Sequence, residues 1–256
     1  MNPKVLLILI DGMRPDAVLQ AEHPFLREFM RTRCTYTLNG RSVMPSITLP
    51  CIMSLFHSVT PDRHGNLDNM IDGLFDVLYA NKKKNLFYRT WNELRDLCRP
   101  GALARDELCE WKVYGNAADI QLCDRCAQAI RAEEPDFVFY YSGNTDEVAH
   151  KHGWMGPEYM EAVSLASRNI EKLIGVLPEG YSVVITADHG GHGRAQAIAR
   201  PRPAVVQIFY GGDRRGRTYS GWGHGGWSHE QVNEDSRDPN QSDDSNDQSQ
   251  SAYNAF

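Results

Sequence analysis

The chain has 256 residues, 41% of them hydrophobic, which is room for one large α/β domain or two small ones with a sizeable core. Its formal charge of -6 equals that of residues 230–250 alone, where seven acids stand against one base. The remainder is neutral in sum, which removes the electrostatic case for a nucleic-acid polymer or an anionic membrane as partner. Residues 4–10 read as a short buried strand ending at Asp11-Gly12. With only six apolar residues before Asp11, that run is too short for a secretion signal, and nothing later approaches the roughly 18 apolar residues of a membrane span. The expectation is a soluble, cytoplasmic protein.

Further along, residues 23–32 read as helix and 46–56 as a loop feeding a helix. Helix is expected at 73–81, strand at 85–88 and a short helix at 92–97. Residues 117–133 are amphipathic, with Ile120, Cys123, Ala127 and Ile130 near helical spacing. A second buried strand covers 136–141, and a long helix with Pro157 near its first turn covers 157–177. A third strand, 181–186, runs up to Asp188-His189. Alternating strands and helices predict an α/β fold with a central, largely parallel sheet flanked by helices. Ligands of such sheets gather beyond the carboxyl ends of the strands, where Asp11, Asp146 and Asp188 fall.

The last quarter differs in kind. Ten of the 21 glycines lie between Gly190 and Gly226, with six arginines in the same stretch, and only 204–210 reads as a strand. From 230 to 250 Val232 is the only large apolar side chain, so that segment cannot offset its ordering entropy. A disordered acidic and polar tail is expected over 230–256. The six cysteines include one C-x-x-C, Cys123 to Cys126, without the second pair a structural zinc site needs, so reduced thiols are expected.

The chemistry rests on Asp11, Thr48, Asp146, His150, Asp188 and His189. Asp146 and His150 are four apart, which on a helical turn puts both side chains on one face. Asp188 and His189 are adjacent and can share an ion only from a turn, which Gly190-Gly191 suits. Asp11 can join either ion or bridge them. Mixed carboxylate and imidazole ligands suit zinc, manganese or iron better than calcium. The bland alternative for each Asp-His pair is a surface hydrogen bond. Two ions about 4 Å apart can clamp the attacking and leaving oxygens of a phosphoryl group, and a metal-bound Thr48 hydroxyl can be the nucleophile. The bland alternative there is that Ser46 or Thr48 caps a helix.

These runs resemble the alkaline phosphatase superfamily in its nucleotide pyrophosphatase/phosphodiesterase branch. The resemblance covers roughly residues 3–194 and rests on Ile10-Asp-Gly-Met-Arg-Pro-Asp16, Met44-Pro-Ser-Ile-Thr-Leu-Pro50, Pro61-Asp-Arg-His-Gly65, Asp146-x-x-x-His150 and Thr186-Ala-Asp-His-Gly-Gly-His192. It implies an alkaline phosphatase-like catalytic domain over 1–229, atypical from 195, followed by the 230–256 tail. It implies two divalent ions, zinc with manganese as second choice. Asp11, Thr48, Asp188 and His189 would hold one ion; Asp146, His150 and a further histidine would hold the other. Thr48 would be the nucleophile and Asn69 a donor to a phosphoryl oxygen. The C/S-x-P-x-R pattern of sulfatases is absent, since Cys51 is followed by Ile52-Met53-Ser54. The implied activity is hydrolysis of phosphodiester or pyrophosphate bonds in a small-molecule phosphate ester or nucleotide.

The further histidine is missing from its usual place. Gln196 stands about there, leaving His192, His224 and His229 as candidates. The alternative is therefore a catalytically impaired relic with an incomplete second metal site, acting as a binding protein. Tyr79, Phe87, Tyr88, Trp91 and Trp154 are candidates to stack on a base, against the commoner reading of aromatic residues as core.

Overall fold

The structure is a computed structural model that describes residues 4–64, 71–196 and 204–210. Asn69, His224, His229 and the 230–256 tail lie outside the described residues. Nine strands and nine α-helices are described, with a 3-10 turn at Asn92–Leu97. The sheet holds β1 (Lys4–Ile10), β2 (Thr35–Arg41), β3 (Asn85–Arg89), β4 (Arg105–Leu108), β5 (Phe137–Ser142), β6 (Tyr181–Thr186) and β9 (Ala204–Tyr210). Its order is β2-β9-β6-β1-β5-β3-β4. The run from β6 to β4 is parallel throughout, while β9 pairs antiparallel with both β6 and β2.

The central strands are apolar on both faces because both faces are covered. Along β1, Leu6, Ile8 and Ile10 join one core and Leu7 and Leu9 the other. On β5, Val138 and Tyr140 alternate in the same way with Phe137, Phe139 and Tyr141. The first core is closed by α1 (Pro15–Gln20), α2 (Phe25–Thr32), α7 (Asn116–Glu133), α8 (Asn144–His152) and α9 (Pro157–Gly175). The second is closed by α3 (Thr48–His57), α5 (Leu74–Ala80) and the 3-10 turn. Burying each such Leu, Ile or Phe contributes about 1.5–3 kcal/mol, so these three layers carry most of the stability. The small helices α4 (Pro61–His64) and α6 (Trp111–Tyr114) and the hairpin of β7 (Gly191–His192) with β8 (Ala195–Gln196) complete the described fold. No described helix is long and apolar enough to cross a membrane.

The largely parallel sheet matches expectation, and two of its strands carry no local signal. Edge strand β4 reads Arg-Asp-Glu-Leu and edge strand β2 is mostly exposed, so neither has the apolar run that marks a strand. Their ladders come from pairing with β3 and β9. All six cysteines are free thiols. Cys123 and Cys126 are buried in α7, and burial pushes the Cys123 thiol up to about 12.

One expectation about α7 is corrected. Ile120 is 46% exposed, whereas Asp119 is 1% exposed. The buried stripe of α7 keeps Cys123, Ala127 and Ile130 and takes in Leu122 and Cys126 in place of Ile120. Asp119 Oδ2 accepts from Ser142 Oγ at 2.7 Å, and its backbone carbonyl accepts from Tyr140. Burial raises its carboxyl to about 7, with the Ser142 bond opposing. The folded protein therefore keeps a proton that the unfolded chain releases near pH 4, and stability falls as pH rises from about 4 through about 7. Asp119→Asn keeps the acceptor for Ser142 and removes this loss. In urea melts the variant is expected to be the more stable protein at pH 8, by up to about 4 kcal/mol, with the gap closing toward pH 4. An equal gap at both pH values would rule out a buried, protonated Asp119.

Candidate metal centre

Three neighbouring strands, β6, β1 and β5, end at one place and deliver the three acids there. Asp11 directly follows β1, and its N–H is tied to the Ser142 carbonyl at the end of β5 at 2.9 Å. Gly12 then reverses the chain with φ +65°, a conformation that favours glycine. Its carbonyl accepts from Trp154 Nε1 at 3.1 Å and Tyr159 OH at 2.9 Å, which pins the turn. A Cβ at Gly12 would lie 2.9 Å from Asp146 Oδ1. Gly12→Ala is thus expected to cost about 1–3 kcal/mol in thermal or urea melts and to displace the Asp146 carboxylate. A variant as stable as the parent would show that the turn relaxes freely.

Asp188 and His189 leave β6 on a turn. Asp188 Oδ1 accepts from Gly12 N at 3.2 Å and from His189 N at 2.9 Å. Thr48 is the first residue of α3, after Ile47 in extended conformation at the cap position, and no side chain caps that helix. Ser46 Oγ instead meets Ser42 Oγ at 2.6 Å. The Thr48 hydroxyl points inward, 3.1 Å from His189 Nε2 and 3.5 Å from Asp11 Oδ1. Asp146 lies in the first turn of α8, where the helix dipole favours a carboxylate.

The fold brings these residues around one atom. His189 Nε2 lies 3.2 Å from Asp11 Oδ1, 3.6 Å from Asp188 Oδ2 and 3.9 Å from Asp146 Oδ1. Asp11, Asp146 and His189 offer donor atoms within 4.8 Å of one another, so they form a candidate metal group. His150 connects through the other oxygen of Asp146, with Nε2 3.4 Å from Oδ2. Its ring is half-exposed at the rim, edge-on to Trp154, and Nδ1 lies 3.1 Å from the Arg194 carbonyl. The one-face expectation for positions 146 and 150 is met.

A cation fits this donor set. Asp146 Oδ1 and Asp188 Oδ2 are buried without a hydrogen-bond partner among the described residues. Orphaned buried carboxylate oxygens are costly unless something positive satisfies them. Burial, then the charge of Asp188, raises Asp11 to about 6, against hydrogen bonds from His189 and Tyr141. Burial, then Asp11, raises Asp146 to about 7, and burial also raises Asp188. Burial pulls His189 down, but Asp188, Asp11 and Asp146 outweigh it and hold the imidazolium up at about 10.

The mouth is a cleft of about 270 Å³ lined by Thr90, Trp91, Trp111 and Lys112 beside Asp11, Thr48 and Asp146. Of the aromatic candidates, Trp91 lines this cleft, Phe87 and Tyr88 are core, and Tyr79 is exposed on α5. Trp154 is buried as the donor to Gly12. Tyr141, which donates a hydrogen bond to Asp11 Oδ2, was not foreseen, because nothing in β5 distinguishes it from Tyr140 on the opposite face. His192 is exposed on β7.

The amino-acid sequence matches the type I phosphodiesterase/nucleotide pyrophosphatase family model over residues 5–98 and 75–196. It is 24% identical to mouse ectonucleotide pyrophosphatase/phosphodiesterase family member 1 over 224 aligned residues, covering 74% of this chain and 24% of that protein. The chain thus spans about a quarter of the length of the curated relatives it matches. Among solved structures, phosphonoacetate hydrolase from Sinorhizobium meliloti, in complex with phosphonoformate, aligns at TM-score 0.62 and 21% identity, over 74% of this chain and 57% of that one. Murine ectonucleotide pyrophosphatase/phosphodiesterase 5, in complex with AMP, aligns at TM-score 0.61 and 15% identity, over 73% and 57%. With sheet, acid-bearing strand ends and family model in agreement over the same residues, the chain belongs to the type I phosphodiesterase/nucleotide pyrophosphatase family.

Proposed function

We propose that the chain is a metal-dependent phosphohydrolase that cleaves phosphodiester or pyrophosphate bonds of a small phosphate ester or nucleotide through Thr48. The carrying observation is the inward Thr48 hydroxyl, 3.1 Å from His189 Nε2 at the centre of the buried acid cluster. Asp11, Thr48, Asp188 and His189 would hold one divalent ion, and Asp146 with His150 a second, zinc or manganese being suited to such donors. When bound, the ions supply positive charge for the phosphoryl oxygens and lower the pKa of the Thr48 hydroxyl. The side chains do the rest. The start of α3 holds Oγ1 in place for in-line attack on phosphorus, and Asp11 Oδ1 at 3.5 Å accepts from that hydroxyl. A P–O bond to Thr48 forms as the bond to the leaving oxygen breaks, and water then releases the phosphoryl group and restores the alcohol. Lys112 at the cleft mouth offers a cation to an anionic substrate, and Trp91 and Trp111 offer apolar faces to its organic part.

A second reading, an impaired relic of the family that only binds, is favoured by the neighbourhood of Asp146. Among the described residues its carboxylate meets His150 and His189 and no other histidine. Metal analysis with a screen of nitrophenyl mono- and diesters separates the two. About two ions per chain and turnover of the diester support the enzyme; one ion or none, with no turnover, supports the relic.

A further inference from the structure

A second cleft, larger than the mouth of the metal centre, lies on the other side of α8, with a volume of about 370 Å³. That is within the usual range for small-molecule sites. Asn144, Val148, Lys151 and His152 line it, positions that share one face of α8, whereas Asp146 and Glu147 line the catalytic cleft. Across it, α9 presents Glu158, Glu161, Ala162, Leu165 and Arg168, again one helical face. Trp111 borders both clefts, its ring oriented by donation from Nε1 to Asn144 Oδ1 at 2.7 Å.

The cleft is polarised along its length. His152 Nδ1 lies 3.7 Å from Glu158 Oε1, so the end of α8 meets the start of α9 and the two helices run back along each other. Asn144 and Arg168 therefore belong to the opposite end, roughly 12–15 Å away by helical rise. That end is rich in donors. Asn144 is 1% exposed, yet its Nδ2 has no hydrogen-bond partner among the described residues. Arg168 has no ion-pair partner there either, and the positive end of the α8 dipole lies beside Asn144. The acids of the cleft, Glu158 and Glu161, stand toward the far end with His152 and Lys151. Val148, Ala162, Leu165 and the Trp111 ring give the middle an apolar lining. A buried amide donor left unpaired at the foot of an apolar slot is a cost that a ligand oxygen removes.

We infer that this cleft is a second binding site, for a flat apolar anion of the aryl carboxylate class. Its ring lies along Val148, Leu165 and Trp111, and its carboxylate faces Asn144 Nδ2 and Arg168. The site shares a wall with the catalytic cleft but none of the metal-binding acids, so it stands apart from the proposed hydrolysis.

The test is calorimetric titration of the full chain with 2-naphthoate, beside its neutral analogue 2-naphthalenemethanol. Saturable naphthoate binding is expected, with the alcohol at least tenfold weaker. Leu165→Glu, which puts a carboxylate into the half-buried slot, is expected to weaken naphthoate at least tenfold. Arg168→Ala, an exposed change that leaves the fold intact, is expected to weaken it about fivefold and reduce its salt dependence. Excess AMP should leave the titration unchanged. Absence of binding at millimolar naphthoate, equal affinity in both variants, or displacement by AMP would each overturn the assignment, the last by placing the probe in the catalytic cleft.

Discussion

On the proposed mechanism, Thr48→Ala is expected to lower turnover of a nitrophenyl phosphodiester by at least about 1000-fold, because the substitution removes the attacking oxygen itself. Among the described residues, the side-chain oxygen that Thr48 Oγ1 is hydrogen-bonded to belongs to a carboxylate already committed to the cluster: Asp11 Oδ1 is 3.5 Å away and its partner oxygen is taken by Tyr141. Substrate affinity should change far less than kcat, since in that mechanism the hydroxyl makes its bond to phosphorus only in the transition state. Thr48→Ser keeps the oxygen and is expected to retain activity, reduced by the freedom gained when the branched methyl is lost. The deletion also removes one of the partners of His189, so unfolding should be followed in parallel. A Thr48→Ala protein that turns over the diester within tenfold of the parent would assign the attack to water instead.

Chelation is expected to have the second large effect, on stability and on activity together. The cluster places Asp11, Asp146 and Asp188 around one imidazole, more negative charge than a single cationic side chain offsets. A divalent ion bound only to the folded state adds about 4 kcal/mol at a thousandfold excess over its Kd. In a protein of this size that is a fall in Tm of roughly 10 °C on treatment with a chelator. The pH dependence carries a sign. Without the ion, Asp11 and Asp146 bind protons up to about 6 and about 7, well above the unfolded values. The folded state then holds more protons than the unfolded one between about pH 4 and 7, so the metal-free protein loses stability as pH rises through that window. His189, held up at about 10, stays protonated there and does not reverse the trend. The difference in Tm between loaded and chelated protein should therefore widen from pH 5.5 to pH 8. A chelator without effect on melting at either pH would mean that the acids satisfy one another by sharing protons.

Much of the site was legible because its residues stand in local patterns. The apolar runs at β1, β5 and β6 each stop within a few residues of an acid, and a parallel sheet puts such stops on one edge. The four-residue spacing of Asp146 and His150 needs only a helix to become one face, and α8 supplies it. Thr48 was less legible: a threonine at a helix start is ordinarily a cap, and only the folded chain shows its hydroxyl turned to His189. The exchange of Ile120 for Asp119 on the buried side of α7 has a related cause. Ile120 fits the apolar spacing, but the hydrogen bond from Ser142 and the packing of α9 set the rotation of the helix.

The sequence by itself determined the alternation of buried strands and helices and the placing of the acids Asp11, Asp146 and Asp188 just beyond strands. Those depend on side-chain period and on chemistry that neighbours in the chain already express. Only the tertiary structure decided which strands form the edges, which side of α7 is buried, and that Tyr141 reaches Asp11 across 130 positions. It alone decided that Gly12 must lack a Cβ because Asp146 stands against it. These are contacts between segments far apart in the chain, and their energies depend on distances of a few ångströms that no local pattern encodes.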